Sequence, residues 1–304
     1  MKPQSSNQRR AELLLFSVTI VWGSTFVITK GLLEANSPYF YCGFRFLLSA
    51  LIVFVPFYRK CISIPRDTIK DGSILGMLLF VGFVLQTIGI QYTTASKAAF
   101  FTGMLVPLTP IVHYIGQQFF KLKKRAVTVG NVVGVISAAV GLFFLTSPAG
   151  SGFNIGDAMN LACSLFFAIF IVYLDTVPAE SDKLQLTFVQ FLSCGIAGFL
   201  FAMFFEDIRV GYDTHTIAGF LYLTIFATVI TMWIQNRFQG DTTPTRAAVI
   251  FAMEPVVAAV FAYFVLSEMI GMLGVLGGII IIAGLLLSEF SDSIPFLRKR
   301  VSEG

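Results

Sequence analysis

Apolar residues in this chain come in runs of about twenty, the length a helix needs to cross a bilayer, and short polar, glycine- or proline-bearing pieces separate the runs. Ten can be placed, at 13–33, 38–57, 72–92, 98–119, 127–145, 156–174, 186–205, 217–236, 247–266 and 271–287. A helix rises about 1.5 Å per residue, so about twenty residues span the roughly 30 Å hydrocarbon core. Lipid offers the backbone no hydrogen-bond partners, which leaves helix as the form that satisfies each segment internally. The pattern predicts an all-α membrane protein of ten transmembrane helices, with the lipid bilayer as its partner. The first run follows Arg9 and Arg10 as a signal peptide would. It is longer than a signal core and no small-x-small cleavage site follows, so it reads as a retained first span.

Composition agrees. Of 304 residues, 56% are hydrophobic and 12% charged, against about 25% charged in soluble domains. The net charge of +4 is not a nucleic-acid signal, because the basic residues sit in short connections. Their distribution fixes an expected orientation. Seventeen lysines and arginines fall in one alternating set of segments, whereas only Lys30, Lys97 and Arg209 fall in the other and Arg45 lies inside a span. Excess positive charge marks the cytoplasmic side, so both termini are expected in the cytoplasm, the number of spans even, and the location the cytoplasmic (plasma) membrane. The four cysteines show no metal or disulfide spacing; no metal or cofactor is expected.

The two halves resemble each other. At an offset of 145 residues, "VWGSTFVI" at 21–28 lies over "FFAIFIVY" at 166–173, and Arg45 falls on Gln190. At an offset of 149, "QTIGIQYTTASKAA" at 86–99 lies over "QNRFQGDTTPTRAA" at 235–248, with Gln86 on Gln235 and Lys97 on Arg246. Gly134 and Gly141 match Gly277 and Gly284 at the same spacing. This order predicts two repeats of five helices, at 10–148 and 154–290. Five is odd, so the second repeat enters from the opposite side, the inverted-repeat plan of many secondary transporters, in which a central cavity opens to one side and then the other.

Four stretches carry a family resemblance: "VWGSTFVITK" at 21–30, "FRFLLSALI" at 44–52, "TTASKAAFFTGMLVPLTP" at 93–110, and 246–289 with its Glu-Pro, its Ser-Glu and its glycine-rich last helix. The chain resembles the drug/metabolite transporter superfamily, specifically EamA-type ten-helix transporters, over about residues 10–289. The turn "FKLKKR" at 120–125 departs from the family's Gly-Glu-Arg-like turn. The resemblance implies ten helices around a central cavity, and export or exchange of a small metabolite.

Glu254 and Pro255 stand near the middle of the ninth run. A charged carboxylate there costs about 2.5–3.5 kcal/mol on insertion scales, so it should face the bundle interior. Pro255 frees the carbonyl of Phe251 and bends the helix. Glu254 either binds an amine or a coupling proton, or is a neutral acid bonded to a neighbouring helix. The Glu-Pro pair recurs in family members with different substrates, which implies gating or coupling rather than selectivity. Arg45 either grips a carboxylate or phosphate or, the reading favoured from sequence, snorkels or pairs with an acid. Trp22 and Trp233, both well inside their spans, suggest cavity walls as readily as helix packing. Gln86, Thr102, His113, Asn131, Asn160 and Gln235 read first as interhelical hydrogen bonds and second as ligand contacts. Pro107 and Pro110 are expected to bend the fourth helix as Pro255 bends the ninth.

The leading class is thus a secondary transporter, an exporter, with a lean toward an amino acid or similar zwitterion from the two interior charges. No GxxxxGK[ST] loop is present, so ATP is not an expected partner. A passive channel or facilitator is the alternative. An intramembrane enzyme would need paired aspartates, an H-E-x-x-H helix or a serine or cysteine with a base at the bilayer edge, and the sequence has none of them.

Overall fold

The computed structural model describes residues 6–119, 129–145, 153–267, 271–289 and 297. Every regular element among them is helical: α1 (Ser6–Leu32), α2 (Pro38–Cys61), α3 (Arg66–Gln91), α4 (Ala95–Gly103), α5 (Leu105–Phe119), α6 (Val129–Leu145), α7 (Ile155–Leu174), α8 (Lys183–Phe205), α9 (Thr214–Thr224), a π-helical turn (Ile225–Ile230), α10 (Thr231–Phe238), a 3-10 turn (Gln239–Asp241), α11 (Pro244–Phe251), α12 (Met253–Leu266) and α13 (Met272–Glu289). The paired pieces α4–α5, α9–α10 and α11–α12 each continue as one segment. Among the described residues, eight segments are then long and apolar enough to cross a membrane, and Val129–Phe144 and Met272–Gly284 form two shorter apolar helices. The divergent turn at 120–125 lies outside the described residues.

Two of the expected continuous runs are interrupted. The fourth breaks at Met104 (φ −61°, ψ −8°) and the ninth at Ala252 (φ −59°, ψ −16°). Each break lies three residues before a proline, Pro107 or Pro255. A proline gives no N–H to the carbonyl four residues back and crowds it. The affected carbonyls are those of Gly103 and Phe251, and the chain turns its next peptide away from the helical ψ. Pro110 does not interrupt α5, which continues through it.

Local chemistry marks the helix starts. Asp182 accepts from the backbone N–H of Leu184 and Gln185 at the start of α8, and Asp213 does the same for His215 and Thr216 at α9. Asn154 and Asp157 form a reciprocal capping box at α7. The start of α2 has no cap of its own; Glu206, just past α8, accepts from the N–H groups of Tyr39 (2.8 Å) and Phe40 (3.0 Å) instead.

Helices in lipid gain nothing hydrophobic by meeting each other, so small residues that allow close approach fix the crossings. α6 packs on α13 through Gly141, whose added Cβ would lie 2.7 Å from the Gly277 carbonyl oxygen, and through Gly284 against Ser137. α2 meets α8 where Gly43 and Gly198 touch backbone to backbone. Gly72 and Gly76 of α3 face Val189 and Gln190 of α8.

Candidate functional site

A cavity of about 50 Å³ lies in the middle of the bundle. Its polar lining is Trp22 and Thr25 of α1, Arg45 of α2, Gln86 of α3, Gln235 of α10 and Glu254 of α12, with apolar and aromatic side chains between them. The volume is far below the about 300–1,000 Å³ of pockets that enclose drug-sized ligands, so a metabolite enters only if the helices part.

Arg45 is 2% exposed and firmly positioned. Its Nε donates to the Thr228 hydroxyl at 2.7 Å, Nη1 to the Tyr41 hydroxyl at 3.2 Å and Nη2 to the Ala227 carbonyl at 3.3 Å. The guanidinium stands 5.1 Å from the ring centre of Phe83, within cation–π range. No carboxylate among the described residues pairs with it. The expectation that Arg45 snorkels or meets an acid is therefore corrected: neutral acceptors hold it at the cavity wall and its charge is uncompensated there.

The π-helical turn makes this placement possible. Its wider ring shifts the carbonyls out of α-helical register, and Ala227 receives both Arg45 and the indole N–H of Trp22 (3.2 Å). Trp22 also donates to the Thr231 hydroxyl at 3.0 Å, and its ring lies 5.4 Å from that of Phe251. Hydropathy carries no mark of a π-turn, and the sequence pattern left Thr228 and Ala227 unnoticed.

Gln86 donates to Thr102 at 3.4 Å, and Gln235 donates to Gln239 at 2.9 Å, which in turn donates to the Ile171 carbonyl. Glu254 is 8% exposed, and among the described residues no hydrogen bond or ion pair holds its carboxylate. Its neighbourhood is tight on the backbone side. A Cβ on Gly23 would lie 2.9 Å from the Glu254 carbonyl oxygen, and one on Gly103 would lie 2.7 Å from Cγ of Pro255. The break in α4–α5 thus packs directly against the break in α11–α12, beside the cavity.

Five of the residues expected from sequence meet here: Glu254, Arg45, Trp22, Gln86 and Gln235. Trp233, His113, Thr102, Asn131 and Asn160 do not line the cavity. Trp233 is 42% exposed and stacks edge-on with Phe238; it is a correction to the expected cavity wall. Its neighbour Met232 lines the cavity instead, and one residue turns a helix by about 100°. His113 is buried in α5, about 12 Å of helix beyond Leu105, and does not line the cavity.

The lining repeats itself at the two sequence offsets. An offset of 145 carries Trp22 onto Phe167 and Thr25 onto Phe170, and an offset of 149 carries Phe83 onto Met232 and Gln86 onto Gln235; all eight side chains line the cavity.

The EamA-like transporter family matches residues 9–147 and again 154–290. An uncharacterized transporter of Archaeoglobus fulgidus is 33% identical over 277 residues, 91% of this chain and 85% of the relative. A protein of Chlamydia muridarum named S-adenosylmethionine/S-adenosylhomocysteine transporter is 25% identical over 198 residues, 62% of this chain and 61% of its own length. A solved crystal structure with 16% identity shares the fold at a TM-score of 0.75, covering 92% of this chain and 96% of its own.

Proposed function

The chain belongs to the EamA-like transporter family of multi-pass membrane proteins, and we propose that it is a secondary transporter exporting a small zwitterionic metabolite, an amino acid or a close chemical relative, by alternating access. One observation carries this reading. Arg45 brings a guanidinium and Glu254 a carboxyl group to the same cavity, and the two do not pair with each other. A carboxylate at the guanidinium and an amine at the carboxylate complete both. Trp22 and Phe251 offer aromatic faces between them, and Gln86 and Gln235 supply neutral donors and acceptors.

Ten membrane passes in two inverted units, 10–148 and 154–290, with cytoplasmic termini, give this site its motion. The paired lining residues and the two abutting breaks at Met104 and Ala252 support that arrangement, since two similar units facing opposite ways can exchange conformations. Pro255 and Pro107 set the breaks and act in gating. The small cavity favours a carrier over an open pore. Energy comes from a substrate or proton gradient rather than ATP, and Glu254 is the group that would carry a coupling proton. Relatives named for S-adenosylmethionine suit the substrate class, because that molecule ends in an amino-acid head. The family resemblance implies export or exchange, and export is the direction proposed.

Metabolite profiling tests this. Cells expressing the parent should accumulate a zwitterion in the medium, and cells expressing Glu254→Gln at equal level should not. Proteoliposomes should then show saturable counterflow of that compound, which a simple pore lacks. Accumulation that is indifferent to Glu254→Gln would remove Glu254 from the site, and absence of counterflow would make the protein a facilitator.

A further inference from the structure

Each end of α1 lies beside a buried ion pair. Near its start, Glu12 accepts from Nη1 of Arg246 at 3.1 Å and from the Thr242 hydroxyl at 2.9 Å. Near its end, Lys30 donates to the carbonyl of Thr93 at 2.9 Å. The Thr93 hydroxyl donates to Oδ1 of Asp157 at 2.7 Å, and Lys97 Nζ reaches Oδ2 of the same carboxylate at 3.0 Å. Glu12 and Lys30 are separated by about 27 Å of helix. Trp22 and Thr25, between them, line the cavity. The two pairs therefore sit beyond opposite ends of the cavity.

The two clusters are built to one plan. The offset of 145 carries Glu12 onto Asp157, and the offset of 149 carries Thr93, Thr94 and Lys97 onto Thr242, Thr243 and Arg246. In each cluster the first threonine donates to the acid. The second threonine caps a half-helix, accepting from the N–H of Lys97 at 3.1 Å or of Arg246 at 3.2 Å. The base, one turn in, reaches across to the acid on another helix. One cluster ties α4 to α7 and the other ties α11 to α1. Both half-helices end at the breaks that abut beside the cavity, so each pair holds the outer end of a short lever whose inner end touches the site.

Side-chain exposure is 11% and 0% for Lys97 and Asp157, and 6% and 4% for Arg246 and Glu12. Parting a buried pair is costly because it leaves charges without compensation. The cost falls when the parting itself lets water in, as it does at a cleft that opens to one side. Both pairs are closed here and the cavity is small. Two pairs of the same build also keep the two open forms close in energy, as a carrier that visits both requires.

We propose that Glu12–Arg246 and Asp157–Lys97 are the latches of the two gates, one at each end of the cavity, and that transport releases them in turn. The assignment rests on the alternating-access reading above. It names which residues hold each gate, a separate matter from which residues hold the cargo.

The test follows access to the cavity from each side. In the full-length chain, Cys42, Cys61, Cys163 and Cys194 are changed to alanine and Thr25→Cys is introduced. A membrane-impermeant methanethiosulfonate reagent is applied to right-side-out and to inside-out vesicles. Glu12→Gln should raise the labelling rate about tenfold or more, within the usual range for coupled two-state equilibria, from the side that holds the start of α1, with no rise from the other. Asp157→Asn should do the reverse. If either variant fails to reach the membrane, Arg246→Lys and Lys97→Arg keep the charge, change the reach and should shift labelling in the same sided way by a smaller factor. Variants that insert and label like the parent, or that open both sides equally, overturn the latches while leaving alternating access in place. A parent labelled from one side alone overturns alternating access, and the latches with it.

Discussion

Leu105 and Glu254 lie just past the two breaks, and both line the cavity. Only one is ionisable. The same contrast holds at Arg45, whose counterpart Gln190 spends its amide and carbonyl on Asn236 and does not line the cavity. It holds again at Trp22 and Thr25, which face Phe167 and Phe170. The frame, by contrast, is duplicated closely: a break three residues before a proline, a threonine cap on each half-helix, and glycine crossings between α6 and α13. Movement between two similar conformations needs the frame twice. Recognition of one cargo needs the chemistry once, and each further interior charge adds about 2.5–3.5 kcal/mol to the cost of insertion.

Removing the asymmetry is the strongest way to break this comparison. Arg45→Gln gives that position the residue of the other half, and Glu254→Leu makes the second position apolar. A hydrogen bond to a charged group is worth about 1.5–3 kcal/mol, so uptake of the identified cargo into proteoliposomes should fall by about tenfold to a hundredfold for either change. Retention of most of the parent rate by both would place recognition elsewhere.

The frame should respond in stability instead. An alanine at Gly103 would set its Cβ 2.7 Å from Cγ of Pro255, a ring carbon with no rotamer to yield. Overpacking of this kind costs about 1–3 kcal/mol. Gly103→Ala should therefore lower the thermal midpoint in detergent, whereas Arg45→Gln and Glu254→Leu should act on transport first. A Gly103→Ala protein as stable as the parent would mean that the two breaks are not held in contact.

Much of this site was legible beforehand, and what was not has a physical reason. Hydropathy located the spans, since lipid sets their length. The repeat offsets pair Gln86 with Gln235 and Lys97 with Arg246. Those offsets also carry Glu12 onto Asp157, but both acids lie near helix ends, where a charge is ordinarily solvated and marks no site. Rotation about a helix axis was the weak point. In a bundle surrounded by lipid, both the inner and the outer face are apolar, so Trp233 reads like Trp22 until neighbours are known. The offset of 149 places Trp233 on Val84 rather than on Trp22, a signal that argued for the lipid face. His113 gave no periodic clue at all. The π-turn was invisible because its sequence, "IFATVI", is as apolar as any other part of a span, and hydropathy does not distinguish a π-turn from an α-helix.

A smaller effect separates the two tryptophans. Trp22→Phe keeps a ring beside Phe251 and loses the indole bonds to Ala227 and Thr231. One net hydrogen bond is worth about 1 kcal/mol, so transport should drop by roughly fivefold. Trp233→Phe, on the outer face, should leave it unchanged. Equal losses from both would return Trp233 to the cavity wall and undo the rotation assigned to α10.

The smallest effects are expected where α2 and α8 exchange ends, two contacts alike in place and unlike in physics. The end of α8 supplies Glu206 to two unpaired N–H groups at the start of α2, a charge on the positive end of a helix. The end of α2 supplies Lys60 to Asp182, an ion pair with side chains 58% and 32% exposed. Burial pushes the pKa of the Asp182 carboxyl up, but hydrogen bonds from the Lys60 ammonium and from the N–H groups of Leu184 and Gln185 outweigh it and hold it below the usual carboxylate range. Two of those three are the cap and survive loss of the lysine. Glu206→Gln should thus cost about 1 kcal/mol, read as a lower thermal midpoint in detergent. Lys60→Met should cost about half of that or less, and nothing in 1 M salt, because water and ions already screen the pair. A salt-resistant loss at Lys60 as large as that at Glu206 would show that this end of the bundle is dry, and that its ion pair belongs with the buried pairs at Glu12 and Asp157.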